Sequence, residues 1–510
     1  MRLEKRKNVR RGIGYGLINK MVTMILPFFV QSIMIRSLGV EYAGIKGVFT
    51  SILTVLSLTE LGVGSAIVFN MYKPIAEDDV KKIGALLKLY KTLYRIFGII
   101  ILCLGILITP FLGFFIRDSY PSEINLQVVF LLYLINSVVS YWLYAYKNSL
   151  LSAYQRTDVI SIIGTIVQSI LYVIQIIVLI VTKNFYLYLC VAIVFTIINN
   201  LVTSICTDRM FPEIKCEGTI DAELKKSIMK NAGGVLIARI CGTTRNTFDS
   251  IFISMFLGLT QAAIYSNYFY VLTALNAVMG IVYSSLIAGI GNSIALDSKE
   301  HNYKQMITLN TANLCVSGWM SVCMLCLYQP FMKIWVGEKL LLPSYTMILF
   351  PVYFFMLKMG DIRSVYSDAA GLFWQNKVRC FVEAIANVVL NFIFVKLWGT
   401  FGILLATIIT IFVLGYFSSA IVIFKYYFEK GFWGYIYNCM YYLLVTILVG
   451  TVSYIICSSI SIFNNRPIIE LCLRSGICVT FVPIIFILLV FWREDFKSII
   501  QMKKHHKKNA

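Results

Sequence analysis

Charge is what this chain has least of. Asp, Glu, Lys and Arg make up 14% of its 510 residues, whereas a soluble domain usually carries about 25%. Hydrophobic residues reach 59% and mean hydropathy is +0.79. No water-soluble core hides that much apolar surface, so lipid must be the solvent for much of the chain. A bilayer accepts only helices or closed barrels, because every backbone N–H and C=O needs an internal partner. The polar–apolar alternation of barrel strands over about ten positions is missing. Long apolar runs such as Ile99 to Ile116 stand in its place, near the length at which a helix crosses about 30 Å of hydrocarbon. Histidine is almost absent: His301, His505 and His506 are too few and too scattered for a metal site. No DxD-type motif and no sizeable external loop is found, which counts against a nucleotide-sugar transferase or a membrane polysaccharide polymerase. The 13 cysteines are dispersed through apolar runs. Even the Cys323/Cys326 CxxC lies mid-segment, where small packing residues are the plainer reading than redox or metal chemistry.

Acid is scarcer than base, 25 residues against 45, for a net charge of +20. In a soluble protein that balance points to nucleic acid. Here the cations sit in loops and tails, so topology explains them and no nucleic-acid partner is expected. The N-terminal cluster of Arg2, Lys5, Arg6, Lys7, Arg10 and Arg11 precedes an apolar segment that runs to about Leu38. That is too long for a signal h-region, so it is read as an uncleaved first helix.

Hydropathy and breaks predict an all-α integral membrane protein of about fourteen transmembrane helices: 12–38, 43–71, 90–116, 124–150, 158–181, 185–207, 228–257, 262–293, 305–329, 341–366, 377–396, 401–425, 434–458 and 467–492. With both termini cytoplasmic, the cytoplasmic segments hold 31 Lys and Arg. The external side holds 8, namely Arg36, Lys46, Arg117, Lys183, Lys333, Lys339, Lys396 and Arg466. This is the positive-inside pattern, in phase along the whole chain. A shift of 219 residues aligns Ser37–Ile45 with Phe256–Ile264 and Leu53-Thr54 with Leu272-Thr273. It gives eleven identities over residues 11–56. Tyr154-Gln155 matches Trp374-Gln375 at 220. The expected organisation is an N-lobe 1–210 (helices 1–6), a cytoplasmic linker 211–227, a C-lobe 228–430 (helices 7–12), helices 13–14 in 431–493 and a basic tail 494–510. Two parallel six-helix lobes would be related by a pseudo-two-fold axis along the membrane normal, with two C-terminal helices outside the repeat.

Ionisable residues within spans are costly and mark function or a partner. Lys20 and Arg239 are equivalent under the repeat, which would aim both at one central space. Lys20 lies about 12 Å and Arg239 about 16 Å past their helix starts. Two such cations suit a phosphate or diphosphate, which Arg grips bidentately; neutralisation by a nearby carboxylate, or reach to an interface, is the alternative. Arg245 is a third cation for the same site, about 120° around the helix from Arg239. It is also spaced to pair locally with Asp249. Glu60 and Asp249 are the candidates for coupling to H+ or Na+; no other cofactor and no catalytic residue is expected. Lys358, Asp361 and Arg363 are placed at the cytoplasmic mouth, either drawing in an anionic headgroup or marking the loop. Glu383, Glu470 and Arg474 complete the in-span charges. The basic tail, Lys503 to Lys508, fits contact with anionic membrane lipid as well as a plain topology signal.

The stretch Arg36-Ser-Leu-Gly-Val-Glu-Tyr-Ala-Gly-Ile45 resembles the first helices of bacterial oligosaccharide-lipid flippases of the multidrug/oligosaccharidyl-lipid/polysaccharide exporter superfamily. So do Leu56-Ser-Leu-Thr-Glu-Leu-Gly-Val-Gly-Ser-Ala-Ile-Val68 and Tyr72-Lys-Pro-Ile-Ala-Glu-Asp-Asp79. The resemblance implies a multi-pass protein of the cytoplasmic membrane. It would flip an undecaprenyl-diphosphate-linked oligosaccharide, as in O-antigen and other surface polysaccharide assembly, by alternating access. Lys20 and Arg239 would hold the headgroup, and other polysaccharide-assembly membrane proteins would be partners. The rival reading is a cation-coupled multidrug-type exporter, whose usual twelve helices and acidic cavity fit less well.

Overall fold

In a computed structural model, residues 5–60, 63–117, 120–459 and 467–499 are described, and they contain no strand. Among the described residues, helices are found in every span predicted above. Nine of these helical stretches are long and apolar enough to cross a membrane, or ten with the bent pair 126–142 and 147–153 counted as one. Two of the other predicted spans miss that standard for visible reasons. Val40–Leu56 has 17 residues. Ala222–Leu257 carries Lys225, Lys226, Lys230, Arg239, Arg245 and Asp249 along its length.

The chain forms two compact units, Met1–Ala263 and Ile264–Ala510. The first contains α1 (Lys5–Ser37), α2 (Val40–Leu56), α3 (Val63–Ala76), α4 (Val80–Ile108), α5 (Leu126–Trp142), α6 (Lys147–Ala153), α7 (Thr157–Val181), α8 (Phe185–Met210) and α9 (Ala222–Leu257). The sequence reading starts the second lobe at 228; by its contacts α9 packs on α2 and α3 within the first unit. Helix α1 lies along α7. One core of this unit gathers Ile67, Met71, Leu86, Leu87, Leu151 and Phe211.

Helix α10 (Leu259–Leu296) leads into the second unit. It continues with α11 (Lys299–Val336), α12 (Ser344–Met347), α13 (Leu349–Met359), α14 (Asp361–Ala369), α15 (Phe373–Ile409), α16 (Phe417–Ile423), α17 (Trp433–Ser459) and α18 (Pro467–Val490). Helix α11 is the hub, packed on α13, α17 and α18. Its close approach to α17 and α18 needs Gly318, where a Cβ would meet Phe486 and Thr446. Two π-helical stretches, Thr410–Tyr416 and Phe424–Phe428, flank α16.

The repeat is written in the backbone. Gly39 and Gly258, 219 residues apart, precede α2 and α10 with φ/ψ of 124°/166° and 90°/173°, a region open essentially to glycine alone. Asp79 and Ser298, also 219 apart, cap α4 and α11: each side chain accepts the N–H three residues on, at 3.0 and 3.2 Å. Beyond the fourth helix the register changes. Gln155 (φ 57°) and Lys183 (φ 50°) correspond to Gly371 (φ 70°) and Gly399 (φ 58°), each pair 216 apart. Gln155 and Gly371 stand two residues before α7 and α15, and Lys183 stands two before α8. The match of Tyr154-Gln155 with Trp374-Gln375 is therefore four residues out of structural register.

Gly39→Ala and Gly258→Ala are each expected to destabilise the protein by about 1–3 kcal/mol, because a Cβ does not fit that backbone region. The apparent melting midpoint in detergent should fall for both, while Gly14→Ala, in mid-helix and with nothing within 4 Å of its Cβ position, should leave it nearly unchanged.

Candidate functional site

In the second unit, charges predicted to lie in the membrane are consumed locally. Glu470 and Arg474, one turn apart on α18, pair at 2.5 Å with side chains only 8% and 10% exposed. Arg474 also donates to the Cys326 carbonyl at 3.1 Å. On α15, Arg379 pairs with buried Glu383 at 2.6 Å. Lys358 meets Asp361 at 2.5 Å and lies over the rings of Tyr283 and Phe354. Arg363 donates to the Tyr416 carbonyl at 2.8 Å, at the end of the first π-helical stretch. Its guanidinium also covers the rings of Tyr416 and Tyr435. Lys358 and Arg363 are thus buried inside this unit and do not stand at an open mouth as expected. Aromatic faces and a released carbonyl offset the cost of taking these cations out of water.

The first unit treats its cations differently. Lys20 projects from the exposed stretch of α1 that also shows Ile18, Met21 and Ile25. Among the described residues it pairs with no carboxylate. Lys46, which the sequence reading counts on the external side, sits in the second turn of α2 and donates to Gln31 of α1 at 3.0 Å. An amide accepts the proton but does not neutralise the charge. Gln31 is eleven residues beyond Lys20, so the two share a face of α1 about 16 Å apart along its axis, with the interruption at Pro27 between them. Lys20 and Lys46 thereby lie along one side of the α1–α2 pair. The signal for Lys46 in the sequence was Gly39, which stops α1 and allows α2 to begin before the lysine. Asp249 is fully buried on α9 and engaged there. The side chains of Glu60, Arg239 and Arg245 lie outside the described residues.

Cys323 and Cys326 of α11 meet Cys457 of α17 and Cys478 of α18 in a cluster of hydrogen-bonding thiols. All four are free. Among the described residues no group of three or more His, Cys, Asp or Glu is arranged to hold a metal ion.

A family model described as a polysaccharide biosynthesis protein matches residues 9–287, more than half of the chain. No curated protein matches the chain. The fold is similar to that of a lipid II flippase, MurJ, in an inward closed conformation, with a TM-score of 0.66 at 16% identity over 93% of this chain and 98% of that one. It is also similar to an inward-facing multidrug resistance transporter of the MATE family in the MOP superfamily, with a TM-score of 0.60, 13% identity and coverage of 79% and 97%. The Vibrio cholerae MATE transporter VcmN in its bent form gives a TM-score of 0.54 at 15% identity, with coverage of 85% and 98%. At these identities the likeness establishes the fold.

Removing one partner of a buried ion pair costs about 3–5 kcal/mol, whereas replacing both with apolar groups is often neutral. Glu470→Gln should therefore lower the unfolding midpoint sharply and Glu470→Leu/Arg474→Met should restore most of it, as read by thermal unfolding in detergent.

Proposed function

This chain belongs to the polysaccharide biosynthesis protein family, and from that membership we propose that it is a flippase for an undecaprenyl-diphosphate-linked oligosaccharide. It works by alternating access in a bacterial cytoplasmic membrane, with both termini cytoplasmic. The family match over residues 9–287 carries the reading. The lipid-flippase-like fold over 93% of the chain supports it. So do Lys20 and Lys46 of the first unit, neither of which pairs with a carboxylate among the described residues. Sugars and a diphosphate cannot cross hydrocarbon unaided, whereas a polyprenyl tail stays in lipid. Lys20, with Arg239 and Arg245 on α9, holds the diphosphate, and Lys46 extends that cationic side. Glu60 and Asp249 are the carboxylates assigned to coupling with H+ or Na+. The likeness to MATE transporters keeps a multidrug-type exporter as the second reading, but uncompensated lysines repel the cationic cargo of such an exporter.

Purified protein in liposomes with a fluorescent polyprenyl-diphosphate saccharide tests this. A hydrogen bond to a charged group is worth about 1.5–3 kcal/mol, so Lys20→Ala or Arg239→Ala alone should slow leaflet transfer roughly tenfold or more. Lys46→Gln should also slow it. Wild-type transfer in the Lys20→Ala/Arg239→Ala double variant removes the binding role.

A further inference from the structure

A second basic site lies wholly within the first unit, away from Lys20 and Lys46. A polar cavity of about 260 Å³ opens beside Tyr146, Lys147, Asp208, Lys215 and Cys216. Lys147 is 8% exposed and donates to Ser204 at 2.7 Å and to Asp208 at 2.6 Å. Among the described residues Asp208 is the single carboxylate lining the cavity. Helix α4 adds Lys88, Lys91 and Arg95, spaced by three and four residues and so on one face. Lys91 stands 5.7 Å over the Tyr146 ring. Segment 211–218, which follows α8, folds back on α4: Gly84 must be glycine because a Cβ would collide with the Lys215 carbonyl oxygen, and Gly218 (φ +102°) packs on Ala85.

The depth of this site is set by the sequence. After Arg95 the chain runs uncharged from Ile96 to Ile116. Lys88, Lys91 and Arg95 therefore lie within about 12 Å of the apolar edge, at the level of headgroups. Exposed Trp142 and Tyr144 mark the same level, as interfacial aromatics do. Trp142 donates to the Arg95 carbonyl at 3.3 Å. The basic-residue bias assigns this face to the cytoplasm.

The repeat shows what is unusual here. At the offset of 219, Lys88, Lys91 and Arg95 correspond to Ile307, Asn310 and Leu314 of α11. There the face is covered by protein: α17 and α18 pack on α11, Asn310 donates to Cys439 at 3.3 Å, and Leu314 is buried. Among the described residues the first unit has no counterpart of α17 and α18, and its α4 face carries cations instead of core residues.

We propose that this cavity and the Lys88/Lys91/Arg95 stripe bind the phosphate of an anionic lipid headgroup, in preference to a zwitterionic one, in the cytoplasmic leaflet. The headgroup fills on α4 the place that α17 and α18 fill on α11, and it braces segment 211–218 against the helix. Two lipids bring such a phosphate: a bulk anionic phospholipid, or the diphosphate of the polyprenyl cargo. The site is independent of the transport reading, because its occupancy is read on protein at rest.

Cys216 is the built-in reporter. Burial pushes its thiol pKa up, and Lys91, Lys147, Lys88 and Arg95 pull it back. A bound phosphate both covers the thiol and cancels those cations, so alkylation by N-ethylmaleimide must slow. The full chain is placed in nanodiscs of phosphatidylcholine, of phosphatidylcholine with phosphatidylglycerol, or of phosphatidylcholine with a polyprenyl diphosphate. Labelling of the Cys216 peptide is followed by mass spectrometry. Slower labelling in either anionic arm supports the site, and the arm that slows it identifies the source. Each cation removed should weaken binding about fivefold, so Lys91→Gln/Arg95→Gln must lose the protection while Lys183→Gln, on the opposite surface by the same charge bias, keeps it. Equal rates in all three nanodiscs, or protection that persists in Lys91→Gln/Arg95→Gln, overturns the proposal. Leaflet transfer can fail or succeed without altering either result.

Discussion

A cation inside an apolar bundle must be met by a counter-charge, a carbonyl, an aromatic face or water. The two units meet that demand in different ways. In the second, Arg474 has Glu470, Arg379 has Glu383, Lys358 has Asp361, and Arg363 has a carbonyl released at a π-helical stretch. The Arg474 and Arg363 contacts tie α18 to α11 and α14 to the π-helical stretch, and together these pairs leave little charge for a ligand. In the first, Lys147 has Asp208 and Arg156 has Asp158, but Lys46 rests on an amide and Lys20 pairs with no carboxylate among the described residues. Charge left without an equal and opposite partner is charge available to an anion that arrives.

How much of this was legible in the sequence follows from the range of each interaction. The pairs 470/474 and 379/383 are one turn apart on one helix, so spacing alone exposes them. The lobe repeat was legible where it is kept by backbone-dictating residues, Gly39 with Gly258 and Asp79 with Ser298. It was misregistered later, because Gln155 and Lys183 take a positive φ without being glycine and gave no signal. Contacts between side chains on different helices were not legible at all. Nothing in the sequence ties Lys147 to Asp208, Arg363 to Tyr416, or Lys46 to Gln31. The burial of Lys358 and Arg363 was missed for this reason: Asp361 was legible as the neighbour of Lys358, but the rings of Tyr283, Tyr416 and Tyr435 and the Tyr416 carbonyl were not.

The repeat also separates what the fold requires from what function adds. The two copies share turns and caps, which fix where α2, α4, α10 and α11 begin. They do not share charges in general. At the offset of 219, Lys46 meets Tyr265 and Arg95 meets Leu314, and both second-copy residues are buried. A cation needed merely to seat a helix has no reason to become a core aromatic or leucine in the matching position. The cations of the first copy are therefore additions to a scaffold that folds without them.

Lys20 and Arg239 break that rule. Beyond the matched cations near the helix starts, Arg6/Lys225, Lys7/Lys226 and Arg11/Lys230, they are the matched position deeper in α1 and α9 where both copies carry a cation. The cost of a charge at such a depth is incurred twice, which a scaffold role does not explain. A polyanionic headgroup does explain it, since a diphosphate carries more charge than one ammonium can meet and gains from a second cation approaching along a different helix. On the flippase reading proposed above, the duplicated backbone supplies two equivalent helices, α1 and α9, and a diphosphate is the kind of anion that a cation on each would suit.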